Sequence, residues 1–150
     1  MGIRKAKRAD IDQLEAIENK VFVYDRLSRR SLRDYIASPR VEMLVATQGR
    51  ELAGYSLVAF RKDSVFARLY SLAIAPEWNG KGLGRALLEA SEKAARRRGA
   101  TAMRLEVRAE NQPAIALYIK AGFECFDRID DYYEDGATAL RFEKSLRIRR

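Results

Sequence analysis

The chain has 150 residues, with 29 Lys and Arg against 21 Asp and Glu, a net charge of +8, 47% apolar residues and 33% charged ones; this is the profile of one soluble globular domain, residues 1–150. It holds no histidine and a single cysteine, Cys125, which excludes a Ser-His-Asp triad, a Cys-His pair, a His-ligated metal and an intramolecular disulfide. The longest apolar run, Leu52 to Phe60, is too short to span a bilayer, and the basic start MGIRKAKRAD leads into no apolar signal segment, so a cytoplasmic protein with no membrane association is expected.

In chain order, IRKA at 3–6 reads as a strand. Asp10, with Gln13 three residues on, reads as a capping box, opening a helix whose stripe runs through Ile11, Leu14, Ile17, Glu18 and Val21. Ser28 is placed to cap a second helix, with Leu32, Tyr35 and Ile36 on one face and Pro39 ending it. Strands at 41–47 and 51–61 flank Gln48-Gly49-Arg50, a hairpin signal, and 65–75 is a third β-branched and aromatic strand. Antiparallel neighbours with short turns are expected.

Residues 82–98 read as a long amphipathic helix, with Leu83, Ala86, Leu87, Ala90 and Ala94 on one side. Glu89 with Lys93 and Glu92 with Arg96 are spaced as i,i+4 pairs, and Gly99 stops the helix after a basic last turn. AMRLEVR at 102–108 alternates as a strand. A helix follows within 111–123, with Pro113 in its first turn and Gly122 past its end. ECFDRI and ALRFEKSL form a final strand pair joined by DDYYEDGAT. The order β-α-α-β-β-β-α-β-α-β-β makes a mixed α/β domain with a mostly antiparallel central sheet and one strand–helix–strand crossover.

NGKGLG, residues 79–84, sits between a strand and a helix start. Unpaired N–H groups, the positive end of the helix dipole and the absence of Cβ atoms make such a place fit for a phosphate. Lys81 and Arg85 add positive charge. A Walker A loop needs Ser or Thr after its lysine, and Gly82 stands there; no register gives the GxGxxG of a dinucleotide fold.

Asn79-Gly80-Lys81-Gly82-Leu83-Gly84 does resemble the (Arg/Gln)-x-x-Gly-x-(Gly/Ala) pyrophosphate loop of the GNAT family of N-acetyltransferases. The resemblance is strong over residues 69–146 and looser over 1–68. LEVRAEN, AIALY and the GF that follows are similar to the RimI-like group, which acetylates protein N-termini. Asn79 departs from the pattern at the first loop position, which removes one side chain and keeps the backbone nest.

The resemblance implies a GNAT fold and acetyl transfer from acetyl-CoA to a primary amine, through a tetrahedral intermediate and with coenzyme A as product. It implies Glu106, the Glu of LEVR, as general base and Tyr118, the Tyr of ALY, as general acid. It places the donor against Leu72, Ala73 and Ile74, against Asn79, Gly80, Lys81, Gly82, Leu83, Gly84 and Arg85 of the loop, and against Asn111 and Tyr118. The oxyanion donor is a main-chain N–H near Leu72 or Ala73. On the acceptor side it points to Arg26 and Leu27 and to Tyr132 and Tyr133.

From the residues alone each of these has a plainer reading. Glu106 can be a charge paired with arginine neighbours, Tyr118 a core aromatic, Asn111 a helix cap, and Tyr132 and Tyr133 turn aromatics. Arg26, Arg29, Arg30 and Arg33 point to an acidic or phosphate-bearing acceptor or to a solvated helix face. Cys125, in a strand and without a histidine, is not a nucleophile. The expected partners are acetyl-CoA and a protein or peptide amine, in a monomer or homodimer, with nucleic acid disfavoured and no metal. The rival classes are a basic nucleic-acid- or partner-binding module and a non-catalytic acyl-CoA binder.

Overall fold

The computed structural model describes residues 1–147. The strands are β1 (Gly2–Lys5), β2 (Val41–Gln48), β3 (Glu51–Phe60), β4 (Phe66–Ile74), β5 (Ala102–Arg108), β6 (Glu124–Ile129) and β7 (Ala139–Ser145). The helices are α1 (Ile11–Val21), α2 (Arg29–Ala37), α3 (Leu83–Arg97) and α4 (Gln112–Lys120), with 3₁₀ turns at Arg8–Asp10 and Pro76–Trp78. This is the expected order. Apart from Arg147, the basic segment RIRR at 147–150 lies outside the described residues. No described helix is long and apolar enough to cross a membrane.

The strands form one sheet in the order β1-β2-β3-β4-β5-β7-β6. All neighbours are antiparallel except β4 and β5, which the α3 crossover makes parallel. The β2–β3 hairpin turns at Gly49, whose φ of +61° an L side chain would resist. The last two strands pair as expected and are antiparallel, but β7 lies inside the sheet, between β5 and β6.

Each face of the sheet buries a helical pair. Leu14 and Ile17 of α1 and Leu32 of α2 pack on Val45, Tyr55, Leu57 and Ala73. On the other face Leu88 and Ala95 of α3 and Tyr118 of α4 pack on Val58, Leu69, Met103, Leu105 and Phe142. Strand alternation explains the split, since Leu57 and Val58 are neighbours on opposite faces. No residue of β5, β6 or β7 enters the α1–α2 core. On that face β5 presents Arg104, Glu106 and Arg108, the polar side of its alternation.

Ser28 caps α2, accepting from Ser31 N at 3.0 Å. Two local expectations are corrected. Asp10 is not in a box with Gln13: its carboxylate accepts from Lys7 N (2.8 Å) and pairs with Arg4, while Gln13 reaches β3, accepting from Leu52 N at 2.8 Å. Glu89 pairs backwards with Arg85 (3.1 Å) rather than with Lys93. Glu92 does meet Arg96 (3.7 Å), but it is buried and binds Lys144 more closely, at 2.7 Å.

Candidate active site

The parallel strands β4 and β5 pair only where Phe66–Arg68 meets Ala102–Arg104, and then separate. A bulge at Tyr70 bends β4 at the same point: Leu57 faces Ser71 while Val58 faces Leu69, leaving Tyr70 extra. Beyond it one edge of β4 has no strand partner among the described residues. Ala75 N donates to Ala53 O (2.8 Å), so by antiparallel alternation Ala73 also turns its main-chain groups toward β3. The N–H and C=O of Leu72 and Ile74 point the other way, into the wedge. Of the three β4 positions expected to hold the donor, Ala73 therefore has its main chain already engaged.

The loop NGKGLG closes one end of this wedge. Gly80 and Gly82 are left-handed, at φ +77° and +78°, and no atom lies within 4 Å of where a Cβ would stand at either. Their glycines serve conformation and leave the surface bare. Gly84 has a different reason, since a Cβ there would stand 3.4 Å from the Leu117 side chain of α4. Among the described residues, no N–H of residues 80–85 donates to a main-chain carbonyl; Ala86 is the first, to Gly82 O at 3.1 Å. A row of unpaired donors at the start of a fifteen-residue helix fits a pyrophosphate. Asn79 and Lys81 are exposed beside it, Leu83 is buried and can offer only its main chain, and Arg85 is held by Glu89.

At its other end the wedge opens into a cavity of about 350 Å³ between β4, β5, α4, the α1–α2 segment and the β6–β7 loop. Glu106 and Tyr118 both line it, with Leu72, Asn111, Leu27, Tyr132 and Tyr133. The Glu106 side chain is 10% exposed, and its carboxylate lies between two guanidinium groups, Arg68 at 2.5 Å and Arg141 at 3.3 Å. Tyr118 is buried with its ring against Phe123 and Phe142, at centroid distances of 5.8 and 6.4 Å. Burial, then the nearby Tyr133, keep its hydroxyl well above the ordinary tyrosine range, and no protein group hydrogen-bonds it among the described residues. Asn111 caps α4, its Oδ1 accepting from Ala114 N at 3.3 Å; the same side chain borders the cavity.

Tyr132 and Tyr133 meet edge to face at 4.9 Å, and the Tyr132 hydroxyl is 3.4 Å from Arg68. Burial pushes the Tyr133 hydroxyl up to about 12. Leu27 borders the cavity and Arg26 does not: its guanidinium donates to Phe22 O (2.5 Å) and Asn19 O (3.3 Å), capping the end of α1. Arg29 is bound to Asp12 and Glu15. These two arginines are thus occupied within the protein, which takes away half of the cluster that pointed to an acidic acceptor.

Several site residues escaped the sequence reading. Arg68 carried no motif. Arg108 sits two positions after Glu106 on the same polar face, so strand alternation could have found it. Under the site, buried Glu18 accepts from Tyr55 Oη and, at 2.7 Å, from Leu27 N. Tyr55 Oη is 2.8 Å from Ser71 Oγ, which borders the cavity. Burial raises Glu18 above the usual carboxylate range, against the lowering effect of those two hydrogen bonds. A glutamate on an otherwise apolar helical stripe was the signal.

A splayed parallel pair, a glycine nest at the helix start, and a carboxylate and a buried tyrosine lining one cleft are the parts an acyltransferase site needs. Residues 8–146 match the acetyltransferase (GNAT) domain, and the chain belongs to that family of acetyltransferases. It is 31% identical to an N-alpha-acetyltransferase of Sulfurisphaera tokodaii, over 91% of this chain and 88% of that one. It is 40% identical to the [ribosomal protein bS18]-alanine N-acetyltransferase of Escherichia coli over 77 residues, 51% of each chain. The crystal structure of the ribosomal-protein-S18-alanine N-acetyltransferase from Escherichia coli superposes with a TM-score of 0.87 at 27% identity, covering 99% of this chain and 96% of that one.

Proposed function

We propose that this acetyltransferase moves an acetyl group from acetyl-CoA to the N-terminal α-amine of a protein or peptide, as a single catalytic domain. The observation that carries this is that Glu106 and Tyr118 line one cleft in the wedge between β4 and β5, with the Gly80–Gly84 nest beyond the end of β4. The relatives named for N-terminal acetylation support the acceptor class.

When bound, acetyl-CoA supplies an activated thioester. The N–H groups of residues 80–85 would receive its pyrophosphate, and the free main-chain groups of Leu72 and Ile74 would hold the arm in the manner of an added strand. Leu72 N–H is the better oxyanion donor, because Ala73 faces β3. An α-amine, with a pKa of about 8, must lose a proton to attack. Glu106 accepts it, directly or through a water: each carboxylate oxygen spends one lone pair on an arginine and keeps another. As the N–C bond forms and the C–S bond breaks, Tyr118, held protonated by its burial, gives its proton to the leaving thiolate, and the second proton shed by the acylated nitrogen returns through water to the tyrosine. Tyr132, Tyr133 and Leu27 flank the acceptor.

The test is thiol release from acetyl-CoA with a panel of peptides that differ in their first residue, beside the same peptides blocked at the α-amine but carrying free lysines. Release with the free α-amines alone is expected. Release with the blocked lysine peptides only, or no acetyl-CoA-dependent rise in melting temperature, refutes the reading.

A further inference from the structure

Arg108 is the last residue of β5, and its side chain is 17% exposed. Its Nη2 donates to Asp25 in the α1–α2 segment at 2.9 Å. Its Nη1 donates to both oxygens of Asp135 in the β6–β7 loop, at 2.9 and 3.1 Å, and lies 3.5 Å from Glu110. The guanidinium also lies over two rings, Tyr133 at 4.3 Å and Tyr24 at 4.8 Å. One planar cation thus grips a carboxylate and an aromatic from each of two segments far apart in sequence. Tyr24, Asp25, Arg108 and Tyr133 all border the cavity that holds Glu106.

Nothing else described joins these two segments so directly. Asp25 is a non-glycine residue at φ +58°, a conformation that disfavours an L side chain unless its surroundings hold it. The ion pair to Arg108 supplies such a hold. Arginine suits the place because its rigid fork serves two carboxylates while its flat faces stack; a lysine would keep the charge and lose both properties.

We propose that Arg108 is a positioning residue for the acceptor: it latches the α1–α2 segment to the β6–β7 loop across the cleft mouth and so fixes the width of the acceptor entrance, independently of the acyl donor. The proposal rests on the acetyltransfer reading above for its acceptor. The donor nest lies at the other end of the wedge and shares no residue with the latch. Loosening the latch should therefore weaken the acceptor alone.

Two measurements test it, on Arg108→Gln, Arg108→Lys and Asp25→Asn. In steady-state kinetics, Arg108→Gln should raise the acceptor KM about tenfold with a smaller change in kcat, as expected when a charged hydrogen-bond network is lost. Arg108→Lys should restore part of this, and the acetyl-CoA Kd should stay at the wild-type value in all three. In hydrogen exchange, Asp25→Asn should speed residues 131–136 as well as 22–27, although Asp25 touches only one of the two segments. Unchanged acceptor KM in Arg108→Gln, or exchange in Asp25→Asn confined to 22–27, overturns the latch. If Arg108→Gln does not fold, Asp25→Asn decides by both readouts. If the wild-type protein turns over no peptide, the proposed acceptor class falls, and the exchange result alone decides the latch.

Discussion

Replacing Tyr118 by Phe separates catalysis from packing, because its ring and its hydroxyl answer to different partners. The ring is locked between Phe123 and Phe142 in the α3–α4 core, and Phe fills the same volume. The hydroxyl has no protein partner among the described residues and faces the cleft. Removing it breaks no protein hydrogen bond and relieves the burial of a polar group, so stability should hold or rise by up to about 1 kcal/mol. For a chain of this size that is a Tm change of about 0 to +4 °C. Loss of a general acid should lower kcat about 10²-fold or more, or about 2.7 kcal/mol in the barrier. The donor Kd should not move. The assay is thiol release over pH 6–9.5, with a thermal melt of the same sample. Since burial keeps Tyr118 protonated across this range, the wild-type rate should show no alkaline fall from this group. A Tm drop of more than about 3 °C would mean the hydroxyl is bonded. A kcat within threefold of wild type would mean that the thiolate takes its proton elsewhere. Either outcome refutes the assignment.

At Gly54 a Cβ would stand 2.6 Å from Ala73 O and 2.6 Å from Ile74 Cδ1; Gly54→Ala should cost about 1–3 kcal/mol, seen as a Tm fall of about 3–10 °C, because a main-chain oxygen cannot swing aside. Gly82→Ala meets no atom but must adopt φ +78°; it should weaken acetyl-CoA in calorimetry while costing only about 1 kcal/mol in a denaturant titration. For Glu18, whose folded pKa is raised, the folded state binds the proton more tightly than the unfolded chain. Its contribution is therefore fully present below the unfolded carboxylate pKa and is lost as pH rises through the folded value. Glu18→Gln should remove that slope and gain on wild type between pH 4 and 7 in urea titrations; parallel pH curves would refute this.

The element order could be read because each element carried its own local signal. Alternation in AMRLEVR, the Ser28 cap and the glycines after α3 and α4 decide structure within a few residues of themselves. What lay across the sheet could not be read so. Gln13 left its helix for Leu52, because partners on a folded surface compete with sequence neighbours; Glu89, with a cation one turn to either side, took Arg85 rather than Lys93. In the site, the nest and the Glu106–Tyr118 pair came from a motif. The arginines that grip Glu106 and the loops came from β4, β5 and β7, whose adjacency only the sheet order supplies. Arg26 looked like a surface cation and is a helix cap, a role set by the turn after α1.

The position of β7 has a consequence for how this enzyme comes into being. A growing chain makes β5 and β6 before the strand that lies between them. Until residues 139–145 have emerged, two strands bearing Glu106 and the approach to the β6–β7 loop have open edges facing each other across a gap. Arg141, one of the two holders of Glu106, arrives with that same strand. Assembly of the cleft therefore waits on β7. A chain cut short before residue 139 would lose more than a terminus: it would leave a pair of adhesive strand edges without catalytic geometry, a form for proteases and chaperones to clear rather than a weaker enzyme.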